Sequence, residues 1–292
     1  MADYEFFTLD TDSGALATEP IEVFAYPMGD VTVRRTGDAE LSSGLQALWV
    51  RTPAPDWSVI FNWASLVASA ARRVLVMPYL PSARGDKDLP SPARTNARLA
   101  ALSGVTDIIA VDPHSPVWLD AMTAANPAVE RWELDLAALV SDAVTGSGPY
   151  QGVIGPDAGS RDRASLVADR LGLPVFIASK SRDQATGKLK GYHPPDGVLD
   201  GRYLVVDDIC DGGGTFALLR AAIPADVSLD LWVTHGGFTG PERSHQALSG
   251  YQCVYTTDSL PSARGGPVRT TDLAPHVNET LRRIATNLEG AQ

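Results

Sequence analysis

Cysteine is almost absent from this chain: Cys210 and Cys253 are its only two in 292 residues. No Cys-x-x-Cys pair and no Cys/His cluster occurs, which argues against a zinc site or a disulfide framework and leaves two free thiols as the expectation. Positive charge is also in short supply. Thirty-five acidic side chains outweigh 24 basic ones, giving a net charge of −11 and a pI near 4.8. Such a chain gains little from counterion release, so neither nucleic acid nor an anionic membrane is an expected partner. No apolar run approaches the roughly 20 residues that span a bilayer. The opening residues Met1-Ala2-Asp3-Tyr4-Glu5 lack the apolar stretch of a secretion signal, so a cytoplasmic location is expected. The Walker pattern Gly-x-x-x-x-Gly-Lys-[Ser/Thr] and the spacing Gly-x-Gly-x-x-Gly are both missing.

Lysine is the scarcest charged residue. Lys87, Lys180, Lys188 and Lys190 are the four lysines among 24 basic residues, and the last three fall within eleven positions. In a chain that otherwise uses arginine, this clustering suits a place that needs a compact, mobile ammonium.

What is present is a globular balance of 44% hydrophobic and 20% charged residues, with enough chain to bury a core. Strand-length apolar runs alternate with helical patterns. Strands are expected over 74–78, 107–111, 153–155, 175–178, 203–206 and 229–234. Helices are expected over 92–102, 134–144, 161–171, 214–222 and 271–288, the first with Ser91 as N-cap and Pro92 at its first position. This alternation predicts an α/β fold of right-handed βαβ units with mostly parallel sheets. The Gly146-Ser147-Gly148-Pro149 stretch reads as a hinge between two halves, 1–146 and 147–292, with the last helix free to pack on either. The hexapeptide Leu80-Pro81-Ser82-Ala83-Arg84-Gly85 recurs at 260–265, a weak sign of duplication.

The segment richest in chemistry is Tyr203-Leu204-Val205-Val206-Asp207-Asp208-Ile209-Cys210-Asp211-Gly212-Gly213-Gly214-Thr215-Phe216. An apolar strand ends in two carboxylates, and a glycine-rich turn then opens a helix. Consecutive glycines let backbone N–H groups approach an anion, and the helix N-terminus adds positive potential. Thr215 can cap the helix and donate to the same anion. The carboxylates would repel a phosphate, so they are suited to sugar hydroxyls or Mg²⁺.

This segment resembles the phosphoribosyl-pyrophosphate motif of type I phosphoribosyltransferases. Further motifs, in family order, resemble one branch: the ribose-phosphate pyrophosphokinases, including a divergent branch with phage members. Asp38-Ala39-Glu40 resembles the family's acidic adenine loop. Met77-Pro78-Tyr79-Leu80-Pro81-Ser82-Ala83-Arg84-Gly85-Asp86 resembles its Pro-Tyr-x-Pro-x-Ala-Arg-Gln-Asp segment, with Gly85 in place of Gln. Val111-Asp112-Pro113-His114 resembles Asp-Leu-His, and Pro156-Asp157-Ala158-Gly159 resembles Pro-Asp-x-Gly. Lys180-Ser181-Arg182 resembles the Lys-x-Arg at the root of a mobile loop, which here continues through Gly187, Lys188, Lys190 and Gly191. The resemblance implies two phosphoribosyltransferase-like domains with the site between them at the strand carboxyl ends. It implies Mg²⁺-dependent transfer of the β,γ-diphosphate of ATP to the C1 hydroxyl of ribose 5-phosphate.

In that reading Lys180 and Arg182 stabilise the transferring group, while Arg84, Asp86 and His114 bind ATP. His114 and Asp157 position Mg²⁺, and Asp207 and Asp208 hold the sugar. Asp211, Gly212, Gly213, Gly214 and Thr215 hold the sugar phosphate. Asp38 and Glu40 read adenine across a subunit contact, so a homo-oligomer is expected. The family's phosphate loop carries a hydroxyl residue where this chain has Gly212. The extra room suits a phosphodiester, which brings in ADP-ribose as the alternative acceptor, giving ADP-ribose pyrophosphate for NAD reconstitution. A catalytically silent regulatory relative is a third reading, disfavoured by the intact Lys-x-Arg and acidic pair.

Overall fold

The computed structural model describes residues 3–9, 16–38, 40–182, 189–197, 200–239, 248–261 and 268–289. The chain forms two compact units, one of Met1–Leu134 with Leu273–Gln292 and one of Asp135–Asp272. The division therefore falls ahead of the Gly146–Pro149 stretch read as a hinge. The reason is the helix Leu136–Ala143 (α4), which packs on Arg161–Leu171 (α5) of the second unit.

The first unit is built on a six-stranded sheet. Its strands are Tyr4–Leu9 (β1), Leu16–Thr18 (β2), Leu45–Val50 (β5), Arg72–Val76 (β6), Asp107–Val111 (β7) and Glu130–Leu134 (β8), in the order β2-β1-β5-β6-β7-β8. Strands β5 to β8 are parallel, while β1 runs antiparallel to β5 and carries β2 at the edge. Every residue of β5 and β7 is buried, as expected of parallel strands covered on both faces. A separate hairpin, Ile21–Ala25 (β3) with Val31–Arg35 (β4), packs through β4 on the helix Trp57–Leu66 (α1).

The helix Pro92–Leu102 (α2) begins as its sequence predicts, with the Ser91 hydroxyl accepting from the Arg94 N–H at 3.3 Å. Its buried face is Ala93, Ala97, Ala100 and Ala101. These small side chains let it pack closely against Val117–Ala125 (α3). The last helix, Ala274–Glu289 (α7), lies on β8, β1 and β6 of this first unit. It buries Val277, Leu281 and Ile284, preceded by Leu273, at helical spacing.

The second unit carries six parallel strands in the order β10-β9-β13-β14-β15-β16. They are Gly152–Gly155 (β9), Val175–Ile177 (β10), Gly201–Cys210 (β13), Val227–Gly236 (β14), Val254–Thr257 (β15) and Val268–Thr271 (β16). Beside them lies a hairpin of Ser179–Arg182 (β11) and Leu189–His193 (β12). The helix Gly214–Ala222 (α6) follows β13 and packs on β12. The strand expected over 203–206 extends to Cys210, because β14 continues beside it and pairs Ile209 with His235 and Cys210 with Gly236. Both cysteines are free thiols.

Asp230 of β14, fully buried, ties this sheet together. It accepts from the Tyr150 hydroxyl, from Arg202 Nη2 at 3.0 and 2.8 Å, and from the Cys253 N–H at 3.2 Å. Removing the acceptor strands these donors. Asp230→Ala is expected to destabilise the second unit by about 3 kcal/mol, read as a lower urea midpoint at unchanged slope.

Candidate functional site

The carboxyl end of β13 brings two carboxylates into the protein interior. Asp208 is 7% exposed at its side chain and Asp207 is 16% exposed. Each is fixed by the backbone that follows it: the Asp208 N–H donates to Asp207 Oδ1 at 3.0 Å, and the Ile209 N–H to Asp208 Oδ1 at 2.9 Å. Arg163 of α5 lies 3.5 Å from Asp207 and 3.6 Å from Asp208. Burial drives the Asp207 pKa well above the ordinary carboxylate range. The Asp208 charge adds to this, and Arg163 opposes it. Nothing in the sequence motifs singled out Arg163. Its position three residues past the turn Ala158–Ser160, in the first turn of a helix beside β13, is the signal that could have found it.

Beyond β13 the chain turns through Asp211, Gly212 and Gly213 into α6. Gly213 occupies the N-cap with φ 75°, and among the described residues no side-chain hydrogen bond closes the helix. Thr215, expected as the cap, sits instead in the first helical turn. The left-handed conformation open to Gly213 starts the helix before Thr215 is reached. The segment after β14 braces the turn: the N–H groups of Gly237 and Phe238 donate to the Cys210 carbonyl at 2.8 and 3.0 Å, and the Thr239 hydroxyl donates to the Asp211 carboxylate. Among the described residues, a Cβ at Gly212 would meet nothing closer than the Thr239 carbonyl at 3.8 Å, and one at Gly214 would meet nothing within 4 Å. No described residue therefore fills the space beside this turn, next to the end of α6 that none of their side chains caps.

Asp157 follows β9 and opens a one-turn 3-10 helix, accepting from the Gly159 N–H at 2.8 Å. Its carboxylate pairs with the Lys180 ammonium. Burial raises the Asp157 pKa, but Lys180 more than offsets this and holds it below the usual range. Lys180 is itself held above its usual value, since Asp157 outweighs the cost of burial. Asp207 interacts with both groups. The hairpin thus places Lys180 against Asp157 and within the field of the β13 carboxylates. Arg182 ends β11, paired in register with Leu189. Gly187 and Lys188 lie outside the described residues.

The first unit holds the other expected residues. Arg84 lies in the 3-10 turn Ala83–Gly85 after β6 and Asp86 follows it. Arg84 and His114 are exposed, the latter past the end of β7 after Asp112, whose φ is 43°. Asp38 and Glu40 are exposed beyond β4, and Ala39 between them lies outside the described residues. The second copy of the Leu-Pro-Ser-Ala-Arg-Gly hexapeptide falls mostly outside them as well. His235 and Ser259, at the ends of β14 and β15, are bonded to each other at 2.9 Å in the core.

Along 278 residues the chain is 28% identical to a ribose-phosphate pyrophosphokinase of Streptomyces coelicolor, covering 91% of this chain and 85% of that one. The chain is homologous to that pyrophosphokinase along most of its length. The crystal structure of phosphoribosylpyrophosphate synthetase from Mycobacterium smegmatis superposes with a TM-score of 0.71 at 24% identity, covering 93% of this chain and 92% of that chain. The fold is thus the synthetase fold of two phosphoribosyltransferase-like α/β domains. No family model matches the chain.

One departure from the synthetase pattern has a local cause. Where the synthetase segment carries Gln, a Cβ at Gly85 would stand 2.4 Å from Pro92 Cγ. The turn is pressed onto the first residue of α2, where the Ser91 hydroxyl donates to the Gly85 carbonyl at 2.8 Å. A larger residue would force the turn off the helix.

The raised Asp207 pKa makes a thermodynamic prediction. The folded state keeps this proton to higher pH than the unfolded chain does. Stability is therefore lost as pH rises from the ordinary carboxylate range through the raised value. Asp207→Asn, which cannot ionise, is expected to melt at a higher temperature than the wild type in metal-free buffer, with a gap that widens from pH 5 to pH 8.

Proposed function

We propose that the protein is an ATP-dependent diphosphotransferase acting on a ribose-phosphate acceptor, with ribose 5-phosphate first among the candidates. The observation that carries this reading is the Lys180–Asp157 pair set beside the buried Asp207 and Asp208, in a synthetase homologue with an uncapped glycine turn at α6. In this reading the Asp211–Thr215 turn holds the sugar phosphate with backbone N–H groups and the Thr215 hydroxyl. Asp207 and Asp208 accept from the ribose hydroxyls, directly or through a metal ion. The sugar C1 oxygen attacks the β-phosphorus of ATP, the bond from that phosphorus to the α,β-bridging oxygen breaks, and AMP leaves. The hydroxyl proton is released. The Lys180 ammonium, held charged by Asp157, faces the oxygens on which charge builds, and Arg182 joins it. Arg84, Asp86 and His114 bind ATP on the first unit. Asp38 and Glu40 read adenine from a neighbouring subunit, which implies a homo-oligomer.

The donor set suits Mg²⁺ as a partner of substrate. Asp157, Asp207 and Asp208 offer hard oxygen ligands, with His114 on the first unit. Among the described residues no group of three or more such side chains forms a metal cage. Mg²⁺ binds through one or two carboxylates, with phosphates and water completing its shell. When bound it would neutralise phosphate charge; His114 would hold one Mg²⁺ with ATP on the first unit, and Asp157 a second near the sugar on the second unit.

ADP-ribose is a second reading, favoured by the room that the described residues leave at Gly212 and Gly214. A phosphodiester there has one fewer anionic oxygen to satisfy and carries a larger group.

The test is AMP release from Mg-ATP with each acceptor in parallel. A higher kcat/KM with ribose 5-phosphate is expected, and a preference for ADP-ribose would select the second reading. Release with neither acceptor would favour a silent relative. Lys180→Ala is expected to lower kcat by about 10²–10³-fold, and chelation of Mg²⁺ to abolish turnover. Wild-type kcat in Lys180→Ala would overturn the assignment.

A further inference from the structure

Tyr192 belongs to no motif and has no part in the reading above. It sits in β12 directly opposite Lys180 on β11 and is 7% exposed. Its hydroxyl is buried and has no hydrogen-bond partner among the described residues. Buried polar groups are almost always paired, so an orphan calls for a reason. The surroundings supply one. Strand β12 packs on α6, the helix whose N-terminus has no side-chain cap. The Thr215 hydroxyl of the first α6 turn is a close neighbour of the phenol, although the pair falls short of hydrogen-bond geometry. Lys180, Asp157 and Asp207 complete its polar surroundings.

We propose that Tyr192 is a ligand-binding residue: its hydroxyl donates a hydrogen bond to an anionic oxygen of the phosphate group held at the N-terminus of α6. This deepens the synthetase reading and rests on it. The geometry also answers the departure at Gly212. A loop that carries no hydroxyl there receives one from the neighbouring hairpin, on the strand that faces Lys180. Burial raises the phenol pKa, with Lys180 and Thr215 opposing, so the group stays protonated and able to donate. Because β11 carries Lys180 and β12 carries Tyr192, binding the phosphate would draw the hairpin and the glycine turn onto one ligand.

Tyr192→Phe removes the hydroxyl and leaves the ring. Three measurements on wild type and variant test the proposal: calorimetric titration with ribose 5-phosphate and separately with ADP-ribose, thermal melting of the free protein, and steady-state kinetics of AMP release. The expected result is an acceptor Kd and KM raised about 10-fold, the loss of one hydrogen bond to a charged group. Alongside it, kcat stays within about 2-fold and the free protein melts at the same temperature or higher, since an orphan donor has been removed. An unchanged Kd would overturn the proposal. So would a lower melting temperature or failure to fold, because the hydroxyl would then be structural. If the wild type itself binds neither acceptor, the synthetase reading falls and this inference with it, an outcome distinct from equal binding by both proteins.

Discussion

Two adjacent carboxylates buried at the end of a parallel strand impose the constraint around which the second unit is arranged. Successive residues of a strand point to opposite faces, so Asp207 and Asp208 do not lie side by side. Arg163 reaches both from the flank, at distances long enough to leave each contact weak. The cations nearby offset part of that charge, while Asp157 adds to it. Lys180 enters from the hairpin, but Asp157 draws on most of its charge. The amide dipoles at the uncapped end of α6 lie beyond the turn. A site so arranged favours a ligand that brings its own cation and an anion together. A metal-bound phosphate has that composition.

The parts of this arrangement differ in how far the sequence reveals them. Helices α2, α5 and α6 appear over the expected residues because caps and breakers mark their ends: Ser91 with Pro92, the left-handed Gly172 closing α5, and Gly213 before α6. Strand ends are harder to read. β13 outruns its apolar stretch, because pairing with β14 carries the ladder past Val206 through two aspartates, and a hydrophobicity pattern cannot anticipate a neighbour's length. The expected hinge failed to mark a boundary for a related reason. Gly146 to Pro149 is a turn within the second unit, with the Ser147 carbonyl and hydroxyl bonded by Arg202 and Tyr255.

Among the candidate site residues, those set in recurrent motifs are legible and those defined by contact are not. Asp207, Asp208 and Lys180 announce themselves through glycine spacing and lysine scarcity. Arg163 is one of 20 arginines, and Tyr192 one of eight tyrosines. Only the packing of α5 on β13 and of β12 on α6 distinguishes them from the rest. Gly85 and Gly212 look alike as departures from a pattern, yet their causes are opposite. Pro92 leaves no room for a side chain at the first, while no described residue crowds the second.

The return of α7 to the first unit has a consequence for synthesis. The second unit lies wholly between β8 and α7 in the chain, so the ribosome completes it while the first sheet still lacks a covering helix. On the order of ten seconds separates the end of β8 from the start of α7 at ordinary rates of translation. During that interval the surface destined for Val277, Leu281 and Ile284 stands open to water and to chaperones. The inserted unit can close on itself first, and the enclosing unit, though begun earlier, is the last to be finished.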